Sequence, residues 1–272
     1  MKLFKIAMFA ISMSAFSLAQ IAFADDQLQT IADDTSHAYP TALNKRPFTL
    51  PQGSVEASGD MKFQNFAAET VGAVAPDIAS LNSLGVKVGV TDDLTFGLSW
   101  GGFQIPKMNP AKSINTGIGY FVGANKYFAT MVSLDVPFHF EADVVHNVSF
   151  AAPTVFGIVK DVSVLAFYDG LVDFHFANKS YSASFNLPVK LGYQATDRLA
   201  LDVSTTLATF HVGGAKDHSY IWQAAPVNVG ALYAITNAFD VVGRVGFSDV
   251  AKPKDSFAFT LGLNYRIGIL DA

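Results

Sequence analysis

Tyr181-Ser182-Ala183-Ser184-Phe185-Asn186-Leu187-Pro188-Val189-Lys190-Leu191-Gly192-Tyr193-Gln194 separates by parity into two sets. Every odd position is apolar or aromatic, and every even position is polar, small or proline. Successive side chains of a strand point to opposite faces, so the alternation predicts one long strand with an apolar face and a polar face. The same split recurs from Phe257 to Ile267. There Phe257, Phe259, Leu261, Leu263, Tyr265 and Ile267 oppose Ala258, Thr260, Gly262, Asn264 and Arg266. It recurs again where Val132, Leu134, Val136, Phe138 and Phe140 oppose Ser133, Asp135, Pro137, His139 and Glu141.

Two features say what lies behind the apolar face. These segments run about ten to thirteen residues, where strands of soluble proteins usually have about five or six. That length suits a tilted crossing of a bilayer. The polar face, moreover, is mostly Gly, Ser, Thr, Asn and Ala rather than Lys and Glu, which fits a crowded or water-filled interior better than a solvated outside.

Composition agrees. Charged residues are 15% of the chain and apolar residues 50%, with a mean hydropathy of +0.30; a typical soluble domain is about 25% charged. Beyond the N-terminal region no uncharged apolar run approaches the ~20 residues of a transmembrane helix. Without helices, only a closed barrel satisfies every backbone polar group in lipid. The expected fold is therefore all-β: a transmembrane antiparallel up-and-down barrel.

The chain's start predicts export. Lys2 and Lys5 precede an uncharged apolar run from Ile6 to Phe23, and Ala22-Phe23-Ala24 supplies a small-x-small cleavage site. That order reads as a signal peptide over residues 1–24, cleaved near Ala24. Removing it takes away two of 18 basic residues and none of 23 acidic ones, leaving 16 against 23, a formal charge of −7. Such a balance gives no support for nucleic-acid binding, which wants a basic face. With no cysteine, neither disulfides nor thiolate metal sites are available.

Turn signals count the strands. Thr91-Asp92-Asp93, Asn125-Lys126, Val159-Lys160-Asp161, Ala195-Thr196-Asp197-Arg198 and Thr236-Asn237-Ala238 are tight-turn sequences. Short turns in such barrels face the periplasm. Upward strands then start near Gly53, Leu94, Phe128, Val162, Leu199 and Phe239, and downward strands near Leu84, Thr116, Val148, Ser180, Ile221 and Ser256. That makes twelve, with ten or fourteen as alternatives, because Asp169-Gly170 also reads as a turn. Exterior loops are expected at about 67–82, 104–114, 141–147, 177–179, 212–219 and 250–255. A weak repeat, Pro-x-x-x-Gly at Pro153, Pro188 and Pro226, places prolines inside strands, where they predict bulges.

Residues 25–52 read as a periplasmic lead-in and 53–272 as the barrel. The lead-in ends on Arg46-Pro47-Phe48-Thr49-Leu50-Pro51-Gln52-Gly53, and the first tight hairpin carries Gly89-Val90-Thr91-Asp92-Asp93-Leu94. With the hairpin pattern over most of the mature chain, this resembles the porin-like outer-membrane barrels of Gram-negative proteobacteria. The resemblance implies an outer-membrane location, contact with its lipid, delivery by the barrel-assembly machinery and passage of small solutes. One departure is the tail: many such barrels end on Phe or Trp, whereas this chain runs through Gly268-Ile269-Leu270-Asp271-Ala272.

Parity places Glu56, Asp60, Asp135, Glu141, Asp169, Asp173, Asp202 and Asp240 in the lumen with Lys62, Lys87, Lys190, Arg244, Arg266, His139 and His175. Rings of charge set which solutes pass, and eight acids against five bases predict a slight cation preference. The opposing reading is that these groups pair and plug a narrow bore. Two further classes stay open: a barrel-borne hydrolase, and a structural or adhesive barrel acting through its loops. For hydrolysis, His146 and Ser149 stand three apart and so face opposite sides of a strand, while Asp217-His218 reads as a loop pair. Asp135 with His139, and Asp173 with His175, share faces, but two ligands do not make a metal site. No nucleotide, zinc or calcium motif occurs, so no cofactor is expected.

Overall fold

The computed structural model describes residues 39–64, 78–105, 113–125, 127–139, 144–145, 147–177, 180–213, 219–220, 226–248 and 257–268. The expected signal peptide and the first part of the lead-in lie outside them.

Twelve antiparallel strands close on themselves. They are β1 (Val55–Gln64), β2 (Ile78–Thr91), β3 (Leu94–Ile105), β4 (Ser113–Ala124) and β5 (Phe128–His139). Next come β6, in pieces Val144–Val145, Asn147–Ala151 and Thr154–Val159, and β7, in pieces Val162–Ala166 and Val172–Ala177. The circuit ends with β8 (Ser180–Gln194), β9 (Leu199–Gly213), β10 (Ser219–Tyr220 and Val227–Ala234), β11 (Phe239–Phe247) and β12 (Phe257–Ile267). Each strand pairs with its sequence neighbours, and β12 pairs with β1 from Val55↔Ile267 to Gln64↔Ala258, closing the ring.

The five tight turns lie at one end, with the start of β1 and the end of β12. Side chains shape them locally: the Asn125 carbonyl accepts from the Tyr127 and Phe128 amides at 2.9 and 3.1 Å. The Thr196 hydroxyl likewise accepts from the Leu199 amide at 3.0 Å. At the opposite end, strands extend further than expected: β2 begins at Ile78 and β9 runs to Gly213. The segments joining β1 to β2 and β9 to β10 are accordingly shorter than the expected 67–82 and 212–219.

Burial is inverted relative to a soluble protein. The largest fully buried side chains are Asp240 and Ser54, while Leu98, Trp100, Val203, Leu261 and Leu263 are exposed on the outer face. Cross-strand aromatic pairs decorate that face, including Phe63–Phe259 and Phe247–Phe257 with ring centroids 6.1 and 5.7 Å apart. Tyr127, Tyr193, Tyr233 and Tyr265 stand exposed at the tight-turn rim, where an interfacial aromatic girdle belongs. This surface is stable only against hydrocarbon. Leu261→Arg, at the middle of β12, is expected to cost about 2–4 kcal/mol near the bilayer midplane, measured by urea unfolding in lipid vesicles. A negligible cost would mean that this face meets water.

Candidate functional site

The inward faces carry the charge, and glycines give it room. Asp135 on β5 lies opposite Gly117 on β4, and a Cβ at Gly117 would meet the Asp135 Oδ1 at 2.5 Å. Asp202 on β9 lies opposite Gly230 on β10, where a Cβ would meet its Oδ2 at 2.7 Å. Both carboxylates therefore lie flat along the wall over a neighbour that has no side chain. Arg244 on β11 reaches back to Asp202 at 3.7 Å. Charge is thereby laid against the barrel instead of filling its bore.

One segment does enter the bore. The two pieces of β7 both pair with β8, so they form one strand interrupted at residues 167–171. The Asp169-Gly170 pair is thus an inward excursion within a strand and makes no hairpin. Prolines explain its position. Pro188, on the facing strand, has no N–H to donate, and its register with β9 slips between Asn186 and Pro188. Pro153 occupies the break in β6. Released from a regular ladder, Phe167 and Gly170 turn to positive φ (56° and 51°). The Phe167 amide donates to the Pro188 carbonyl at 3.0 Å, and its carbonyl accepts from the Ala152 amide at 3.0 Å.

The excursion carries Tyr168 and Asp169 toward the axis. The Lys190 ammonium lies 4.9 Å from the Tyr168 ring centre. Asp173 anchors the base, accepting from Ser149 Oγ at 2.5 Å and from Asn186 Nδ2 at 2.9 Å. The same amide nitrogen donates to the Gly170 carbonyl at 2.7 Å. A cavity beside the excursion is lined by Tyr168, Asp169, Asp173, Asn186, Thr206 and Asn228 among others. Asp173 is thus spent on holding the excursion, while Asp169 presents charge.

The tight-turn mouth holds a second assembly. Asp240 is fully buried and accepts from Arg46 at 2.6 and 2.7 Å and from Arg266 Nη2 at 2.7 Å. Arg266 Nε lies 2.8 Å from Glu56, which also meets Lys87 at 3.5 Å. Tyr39 covers both guanidinium groups, 5.3 Å from Arg46 and 4.5 Å from Arg266. Burial pushes its phenol above the ordinary tyrosine range, against the lowering field of Arg266. Sequence reasoning treated residues 39–52 as a plain lead-in and missed Tyr39 and Arg46. Tyr39 and the adjacent Lys45-Arg46 pair, in a run punctuated by Pro40, Pro47 and Pro51, were the available signal.

The remaining candidates are distributed as follows. The Asp60 carboxylate accepts from Ser83 Oγ, Lys62 pairs in register with Thr260 and Ser80, and His175 Nε2 stands 3.4 Å from Ser184 Oγ. His139 ends β5 opposite Ser113. Glu141, His146 and the Asp217-His218 pair lie outside the described residues. The Ser149 hydroxyl donates its hydrogen bond to Asp173, and among the described residues no group of three or more His, Asp or Glu side chains is placed to hold a metal ion.

No family model and no curated protein sequence matches the chain. Among solved structures, it is similar to the NanC porin, with 10% identity, 78% of this chain and 100% of that one covered, and a TM-score of 0.50. The KdgM porin (12% identity, 78% and 98% covered, TM-score 0.45) and an outer membrane channel from Pseudomonas putida F1 (13%, 86% and 99%, 0.49) also align. The fold is that of the porin-like outer-membrane barrels, with an apolar outer belt that suits a bilayer's hydrocarbon.

Proposed function

We propose, from a porin-like barrel set in the outer membrane, that the chain is a passive channel for small solutes and ions. One observation carries this reading: the Asp135 and Asp202 carboxylates lie across partner-strand glycines, so the wall is charged there while their side chains leave the bore free. The narrowing is made by the β7 excursion, with Asp135, Asp169 and Asp173 grouped on one side and Lys190 and Arg244 toward β8 and β11. Opposed charges at a constriction produce a transverse field that orients polar solutes and admits small cations more readily than anions. Along the whole lumen Arg46 raises the expected bases from five to six against eight acids, which leaves the local acidic group to set most of the preference.

Single-channel current of the purified protein in a planar bilayer tests the reading. Discrete steps are expected, with a reversal potential in a potassium chloride gradient that favours cations. Asp135→Asn with Asp169→Asn is expected to abolish that preference without closing the pore. Absence of steps from every folded form of the chain overturns the proposal.

A further inference from the structure

Residues 39–54 cross the mouth that they precede. The Asn44 amide donates to Gln194 Oε1 at the end of β8, at 3.2 Å. Thr49 Oγ1 donates to the Asp92 carbonyl in the β2–β3 turn, and the Leu50 amide to Thr95 Oγ1 on β3 at 2.8 Å. β8 and β2 lie six strands apart in a ring of twelve, so a chain touching both has crossed the opening along a diameter. Five residues reach at most roughly 17 Å, which fits the modest bore of such a barrel. Ala42, Thr49, Leu50 and Ser54 are buried in this position.

The crossing segment is fastened asymmetrically. Near its middle Arg46 makes its two bonds to Asp240, and its remaining donors reach the segment's own Pro40 and Thr41 carbonyls at 2.9 and 3.1 Å. The wall balances its charges without it: Glu56 and Asp240 face Arg266 and Lys87. Withdrawal of the segment leaves these four wall charges balanced.

We propose that residues 39–54 are a gate across the periplasmic mouth, latched by Arg46, and that its release raises conductance. This rests on the channel reading, and the test separates the two. Single-channel conductance is compared for the full chain and Arg46→Ala, with heat-modifiable migration confirming assembly. Ala42→Cys, in a chain that has no other cysteine, reports docking independently of current, through labelling by a membrane-impermeant maleimide.

The expected result is that Ala42→Cys is protected with Arg46 present and labelled with Arg46→Ala, while conductance rises severalfold. Arg46→Lys, which keeps the charge but loses the paired geometry, is expected to fall between and serves should Arg46→Ala fail to assemble. Labelling without a change in conductance overturns the gate and leaves the channel standing. Continued protection with unchanged conductance overturns the latch. If neither form conducts although Ala42→Cys becomes labelled, the channel reading itself fails, and the gate with it.

Discussion

Asp240→Ala is expected to destabilise the folded barrel by about 3–5 kcal/mol, the usual cost of removing one partner from a buried ion pair. Asp240 has no solvent exposure and is the acceptor shared by Arg46 and Arg266. Without it, two guanidinium groups remain buried together with only Glu56 to offset them. The position magnifies the effect. Asp240 stands on β11, Arg266 on β12 and Glu56 on β1, so the cluster spans the seam where the last strand meets the first. A denaturant or temperature series, followed by heat-modifiable migration, measures the change. A loss below about 1 kcal/mol, typical of solvated surface pairs, would show that water reaches the cluster.

Gly89→Ala is the second large effect, acting on β2, three strands round the mouth from Asp240. A Cβ there would fall 2.0 Å from the Pro51 carbonyl oxygen and 2.6 Å from that of Leu50. Both are backbone atoms, so no rotamer change relieves the clash, and either β2 or the crossing segment must move. β2 is held by ladders to β1 and β3 along its length. The segment is held at this edge by fewer bonds, including Gly53 N to the Gly89 carbonyl and Gly89 N to the Ser54 carbonyl, both 2.9 Å. The segment gives way, at a cost of about 1–3 kcal/mol as for other overpacked sites. Tryptic cleavage after Lys45 in the assembled barrel is expected to accelerate about tenfold, since proteolysis follows the population of the opened state. An unchanged rate would mean that β2 absorbs the strain.

These two residues show how legibility varied. Gly89 belongs to a hairpin motif visible in the sequence, yet nothing local says that its missing side chain accommodates Pro51, thirty-eight positions earlier. Asp240 falls on the polar parity of β11 and was assigned to the lumen on that ground. Its partner Arg46 is 194 positions away in a segment with no alternation to read. Asp169-Gly170 looked like a hairpin turn because its residue types suit one. What kept the chain in a single strand was pairing of both flanking pieces with β8, a contact across the ladder.

The sequence by itself determined the barrel and which face meets lipid, and put the strand count at twelve with ten and fourteen still open. Those properties follow from the two-residue period of the pleat and from turn chemistry spanning four or five residues, and both are local. The tertiary structure alone decided that residues 167–171 narrow the lumen and that residues 39–54 span its mouth. Both depend on where closure brings distant strands, on donors that prolines remove from a neighbour's ladder, and on charges that balance only once β11, β12 and β1 stand side by side.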